Sequence, residues 1–280
     1  MSNLCVVIKV YNEFNLLEGC IRSLLCQVLV PNQVIIVDDG SPDPNVSKEI
    51  TRLSRDYSQL KIQLLRLALK PKPNLDTVGR TWKHAWYEIK KKGQFDYFGM
   101  LDADTRLEEN YYEEIISEIE KNPKIMCASG TIKIKTQTNE YIEQINIGAK
   151  VGRKDARGSG KVIRTAFLEE IKDFEFPEVD WDTWINTKAK VRGFKSPQID
   201  NVFLYQERPT TRVIGKDQFR NGRLTYHFGY NPILLLLKMI LAKRGASTIL
   251  RGYLDARRKK WKLKDSEVRK YFGWRFFLHF

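Results

Sequence analysis

The chain of 280 residues offers no apolar run long enough to span a bilayer. The stretch Pro232 to Ala242 (PILLLLKMILA) stops far short of the roughly 18 to 20 residues a crossing helix needs. Cysteine is scarce. Cys5, Cys20, Cys26 and Cys127 lie in or beside apolar stretches and lack metal-ligand spacing. That excludes a cysteine-built metal centre and gives the expectation of reduced core residues in a cytosolic protein. No internal repeat or low-complexity segment stands out. No leader peptide is expected, because the N-terminus passes at once into the apolar stretch Cys5 to Val10 (CVVIKV). A chain of this length can bury a large core in one domain and still carry an appendage.

Acids are outnumbered, 34 against 48 Lys and Arg, so the places where they gather are informative. Asp102 and Asp104 sit one residue apart where the run Tyr97 to Leu101 (YFGML) ends. An apolar run bounded by a charged turn reads as a buried parallel strand. In open α/β sheets, ligands bind beyond the carboxyl ends of the strands. A D-x-D pair there can hold a hard divalent cation, which takes oxygen ligands and bridges to substrate phosphates. Alone, the pair would read as an acidic turn before a helix. It is not alone: Val34 to Val37 (VIIV) ends in Asp38-Asp39-Gly40-Ser41, a second acid pair at the same expected sheet edge. The first apolar stretch leads through Tyr11-Asn12-Glu13 to Leu16, Leu17, Cys20, Ile21, Leu24 and Leu25. That spacing predicts a helix, with Asn12 and Asn15 as its expected caps. The alternation of strands and helices predicts an α/β fold with a parallel sheet covered on both faces.

Taken in order, K-V-Y-N-E (residues 9–13), V-D-D-G-S (37–41) and L-D-A-D (101–104) resemble motifs of family 2 glycosyltransferases. The family forms are P-x-Y-N-E, V-D-D-G-S and D-x-D, and the likeness runs from about residue 4 to about 205. The resemblance implies the GT-A fold, a Rossmann-like, mostly parallel sheet with helices on both faces. A helical, basic C-terminal appendage follows. The expected division is a catalytic domain over 1–215, its donor half to about 105 and its acceptor half beyond, then a C-terminal region over 216–280. The resemblance further implies a nucleotide-sugar donor, with a UDP-sugar favoured. A Mn²⁺ or Mg²⁺ ion on Asp102 and Asp104 would steady the leaving diphosphate as its charge grows. Asp39 is expected to accept the N3–H of a uracil or thymine, with Gly40 allowing a sharp turn beside it. Tyr11 and Glu13 are expected to line base and ribose. Asp38 reads as a turn acid or as a ligand.

The chain departs from the family pattern in three places. Around Lys70 to Ala85 the Asn of an A-R-N-x-G-like helix start is missing, but Gly79-Arg80 survives. Arg80 is expected at the donor diphosphate, as a bidentate phosphate ligand. In Phe176-Pro177-Glu178-Val179-Asp180-Trp181-Asp182, Val179 replaces the glutamate of an E-D pair, with Glu178 as a partial substitute. The resemblance makes Asp180 the base that takes the acceptor hydroxyl's proton, with Asp182 a second carboxylate nearby. A helix is expected from about Asp180 to Arg192, stopping at Gly193, and a strand over Ile199 to Leu204. Many relatives place a histidine after that strand; here Tyr205-Gln206-Glu207-Arg208 follows. Gln206, Glu207 or water is left as the third metal ligand, and Arg208 faces a donor or acceptor phosphate.

The net charge is +14, and residues 238–280 carry 13 Lys and Arg against 3 acids. With the short apolar run and the aromatic end (YFGWRFFLHF), this suits attachment to an anionic membrane surface. A polyprenyl-linked or other glycan acceptor and a peripheral location on the cytoplasmic face are the matching expectations. Two other function classes fit less well. A basic nucleic-acid-binding module would need a reader motif, and the sheet-edge carboxylates would repel phosphates without a metal. A sugar-phosphate nucleotidyltransferase usually carries a G-x-G-T/S-R-like loop after its first strand, quite unlike Tyr11-Asn12-Glu13.

Overall fold

The computed structural model describes residues 2–12, 14–69, 78–92, 95–143, 154–171, 177, 179–208, 214–242 and 245–273. Glu13, Glu178, the whole of the expected loop over 70–77 and the aromatic end over 274–280 therefore lie outside the described residues. The chain forms two compact units, Met1–Thr210 and Thr211–Phe280.

The first unit opens with three strand–helix pairs and a fourth strand. These are β1 (Leu4–Val10), α1 (Leu17–Leu25), β2 (Gln33–Asp38), α2 (Pro44–Asp56), β3 (Ile62–Arg66), α3 (Val78–Lys92) and β4 (Tyr97–Asp102). Then come β5 (Thr105–Leu107), α4 (Tyr111–Lys121), β6 (Cys127–Lys135), β7 (Tyr141–Glu143), β8 (Lys161–Arg164), α5 (Thr165–Glu170), α6 (Trp181–Val191) and β9 (Gln198–Gln206). The described strands form one sheet in the order β3-β2-β1-β4-β8-β6-β9-β5, with β7 on β6. Pairing is parallel across β3-β2-β1-β4 and between β6 and β9, while β8 runs against both neighbours. Almost every residue of β1 and β2 is buried, which is why both read as unbroken apolar runs.

Two local expectations are corrected. The capping residue of α1 is Leu16, with no side-chain cap bond, so neither Asn12 nor Asn15 caps it. Asn12 has φ +55° and its N–H donates to Ser41 Oγ at 2.9 Å, so it turns the chain out of β1 instead. Asparagine tolerates that left-handed conformation better than most residues. All four cysteines are free thiols, but Cys26 is exposed and does not belong to the core. It stands just past the last turn of α1, beyond the buried stripe Leu17, Cys20, Ile21 and Leu24.

The second unit is helical: α7 (Ile214–His227), α8 (Pro232–Leu241), α9 (Ala246–Arg258) and α10 (Ser266–Gly273). α7 and α9 cross with their backbones touching. A Cβ on Gly222 would stand 1.9 Å from the Ile249 carbonyl oxygen, and one on Gly252 2.1 Å from that of Phe219. Only glycine permits that approach. Phe228 and Tyr230 pack on Phe272, the latter stacked at 4.5 Å, and Arg269 Nη1 donates to the His227 carbonyl at 2.6 Å at the end of α7.

Candidate active site

The register of three parallel strands assembles the site. Val10 of β1 stands beside Asp38 of β2, and Lys9 beside Asp102 of β4. With neighbouring strands about 4.8 Å apart, the two acid pairs flank the end of β1, where Tyr11 leaves half-buried. Asp38 does the work of a turn: it is buried and its Oδ1 accepts from Ser41 N–H at 2.8 Å. Gly40 has φ +77°, and a Cβ there would meet the Ala68 carbonyl oxygen at 2.4 Å, so the sharp turn needs glycine. Asp39 is buried, and Arg80 of α3 reaches it with Nη2 3.0 Å and Nε 3.3 Å from Oδ1. Arg80 Nη2 also donates to the Ala68 carbonyl at 3.2 Å. The structure thus joins Arg80 to Asp39, the expected base-reading acid.

At the end of β4, Asp102 Oδ1 lies 3.6 Å from Lys9 Nζ. Buried Asp104 accepts on Oδ2 from Arg208 Nε at 3.1 Å and Nη2 at 3.0 Å. Arg208 follows β9, whose antiparallel pairing sets Gln206 opposite Thr105 and so delivers Arg208 to the D-x-D turn. Glu207 is committed elsewhere, to Arg106, to the Tyr141 hydroxyl at 2.7 Å and to Lys135 at 3.4 Å. Burial works against its charge, yet hydrogen bonds from Tyr141 and Arg106 keep its carboxyl below the usual range. In this structure Glu207 is an ion-pair partner of Arg106 and Lys135.

The residues present fit a divalent cation of the phosphate-bridging kind. Asp102 and Asp104 offer hard carboxylate oxygens at one turn. Among the described residues no cluster of three or more His, Cys, Asp or Glu side chains stands ready for a metal. Mg²⁺-type sites are often built from one or two carboxylates, water and substrate phosphates, and this donor set matches that pattern.

The turn before β8 joins the two halves of the site. Ser159 Oγ accepts from Asp102 N–H at 3.0 Å and lies 2.9 Å from Thr105 Oγ1, so one serine braces both ends of the D-x-D turn. Next to it, a Cβ on Gly158 would lie 3.6 Å from the Trp181 ring and 3.7 Å from Asp182 Oδ2, so the first turn of α6 lies beside this brace. Asp180 precedes α6 with φ +47° and ψ +40°, and it makes no side-chain cap bond. A non-glycine residue held left-handed costs on the order of 1 kcal/mol or more and is found disproportionately at functional positions.

Lys161 carries no signal in the sequence. It opens β8 fully buried, and its Nζ donates to Asn186 Oδ1 at 2.6 Å and to the Asp182 carbonyl at 3.2 Å. Burial pushes its ammonium pKa down. Asn186 in turn donates to the Ala156 carbonyl at 2.8 Å, tying α6 to the turn before β8. Sequence reasoning also missed Ser159, which no local pattern marks.

Comparison with known proteins fits this geometry. Residues 5–173 match the family model "Glycosyl transferase family 2". The chain belongs to that family. It is 22% identical over 218 residues to a poly-beta-1,6-N-acetyl-D-glucosamine synthase of Staphylococcus epidermidis, covering 74% of this chain and 49% of that protein. The chain thus spans about half the length of that curated relative. Among solved structures, a mannosyltransferase from Pyrobaculum calidifontis in complex with GDP-Man and Mn²⁺ aligns at TM-score 0.63 and 15% identity. That alignment covers 91% of this chain and 75% of the other. S. aureus TarS 1-349 in complex with UDP aligns at TM-score 0.54 and 17% identity, covering 96% and 74%. At these identities the likeness carries the fold, and that fold is the expected GT-A α/β arrangement.

Proposed function

We propose that the protein is a metal-dependent, inverting glycosyltransferase that moves a sugar from a UDP-sugar to a hydroxyl of a glycan or lipid-linked acceptor. The observation that carries this reading is the register that brings Asp38-Asp39 and Asp102-Ala103-Asp104 to one sheet edge around Tyr11. The glycan polymer in the Staphylococcus relative's name and the Mn²⁺ in one neighbour's title support a metal-assisted sugar transfer, and the neighbours' nucleotides, GDP-Man in one and UDP in the other, support a nucleotide-linked donor.

In this reading Asp39 accepts the N3–H of uracil, and Arg80 holds Asp39 in position through the contact at 3.0 Å. Asp102 and Asp104 would hold the Mn²⁺ or Mg²⁺ ion, which when bound supplies positive charge to the leaving diphosphate. Ser159 and Thr105 fix the turn that carries both acids. Asp180 takes the proton from the acceptor hydroxyl as its oxygen attacks the anomeric carbon. The bond from that carbon to the diphosphate oxygen breaks, and the electron pair leaves with UDP. Arg208, paired with Asp104, keeps a guanidinium where a phosphate would arrive.

Calorimetric titration with UDP, GDP and dTDP in the presence of Mn²⁺ tests the donor side. UDP is expected to bind, and Asp39→Asn should weaken it by roughly ten- to a hundredfold, the cost of losing a hydrogen bond to a charged group. Tighter binding of GDP than UDP would overturn the uracil assignment, and no binding of any of the three would overturn the transferase reading of this edge.

A further inference from the structure

α8 is short and oddly dressed. Ten residues at 1.5 Å rise span about 15 Å, half the roughly 30 Å of a bilayer's hydrocarbon layer, and among the described residues no helix is long and apolar enough to cross one. Yet Ile233, Leu236, Leu237, Ile240 and Leu241 are 57%, 56%, 45%, 62% and 76% exposed. They recur at i, i+3, i+4, i+7 and i+8, which is one face of a helix. Leu234, at the edge of the stripe, is buried, and Leu235, Lys238 and Met239 on the side away from it are half-buried. The only charged residue of α8, Lys238, is turned off the stripe. Its Nζ donates to Thr225 Oγ1 at 3.1 Å and sits 4.0 Å from the centre of the Tyr230 ring. What faces solvent is therefore an uninterrupted aliphatic stripe. Single exposed leucines are ordinary on a protein surface, but a contiguous set marks an interaction site.

Charge decides between occupants. Arg251, Arg257, Arg258, Lys260, Lys262 and Lys264 of the same unit are all exposed. Residues 238–280 hold 13 Lys and Arg against 3 acids, and Lys243 and Arg244 follow α8 directly in sequence. A second copy of this unit would bring like charge against like charge, which opposes association. An anionic lipid surface accepts both features at once, since aliphatic side chains enter the acyl boundary while cations meet the headgroups. We propose that α8 is a membrane-docking helix that lies in the plane of an anionic bilayer's interface with its aliphatic stripe inserted. The assignment is independent of the sugar-transfer reading.

Co-sedimentation of the full chain with vesicles of phosphatidylcholine alone, or mixed with phosphatidylglycerol, tests it at low and high salt. The intact protein is expected to bind the anionic vesicles at low salt and to keep part of that binding at high salt. Leu237→Gln/Ile240→Gln should lower affinity roughly tenfold or more and remove the salt-resistant part. Arg257→Glu/Arg258→Glu should remove mainly the salt-sensitive part. Both pairs are exposed, so unchanged thermal unfolding is the expected control. If the first pair misfolds, Leu236→Gln/Leu241→Gln makes the same test. Absence of binding to anionic vesicles at low salt, or equal binding by the glutamine variant, would overturn the proposal. So would a dimer in light scattering that the glutamine pair dissolves, since a second copy would then cover the stripe.

Discussion

Asp104→Ala is expected to abolish sugar transfer while leaving the protein folded. Asp104 is buried at the end of the β4 turn, where it pairs with the half-exposed Arg208. Removing the carboxylate releases a guanidinium that water can still solvate, so the stability cost stays near the roughly 1.5–3 kcal/mol of a hydrogen bond to a charged group, which leaves the fold intact. The catalytic cost is far larger. A leaving diphosphate gathers negative charge in the transition state, and loss of one element of its electrostatic stabilisation commonly costs roughly 10²–10³-fold. Losing the cation's anchor should reach at least that range. Turnover measured with a UDP-sugar, beside a thermal melt, separates the two effects. Mn²⁺ affinity in the presence of UDP gives an independent reading and should fall in the variant. Near wild-type turnover in Asp104→Ala would remove the D-x-D acid from the mechanism.

Asp180→Asn is expected to lower turnover by roughly 10²–10⁴-fold, the range for losing a general base, with UDP binding largely kept. The amide nearly preserves the carboxylate's shape, and the left-handed backbone at Asp180 suits asparagine as well. The competing residue is Asp182, whose Oδ2 approaches Gly158 beside the serine that braces Asp102. Its own backbone carbonyl accepts from buried Lys161, so the two carboxylates are set at different points of one helix start. Asp182→Asn is therefore the matching control. A large loss in Asp182→Asn with little in Asp180→Asn would move the base two residues along.

Much of this arrangement was legible in the residues. Runs such as Val34 to Val37 and Tyr97 to Leu101 are buried on both faces of a parallel sheet, so they announce themselves by unbroken apolarity. The acids that end them follow at once in sequence, and their meeting at one edge follows from parallel pairing. What stayed hidden is long-range. Arg80 finds Asp39, Ser159 finds the Asp102 amide and Arg208 finds Asp104 across 41, 57 and 104 residues of chain. Such pairs are fixed by tertiary packing, and no local pattern encodes them. Lys161 is the sharpest case. Read locally, a lysine opening a strand belongs in solvent, yet Asn186 and the Asp182 carbonyl satisfy it inside the core. Asn12 misled in the other direction. Its side chain suits a helix cap, but its backbone was needed for the turn that meets Ser41.

Nucleotide-sugar turnover on a cation held by Asp102 and Asp104 is tested by measuring nucleoside diphosphate released from a panel of UDP-, GDP- and dTDP-sugars, with Mn²⁺ or with excess EDTA. UDP release is expected to require Mn²⁺ or Mg²⁺ and to stop in EDTA. Full release in excess EDTA would contradict it.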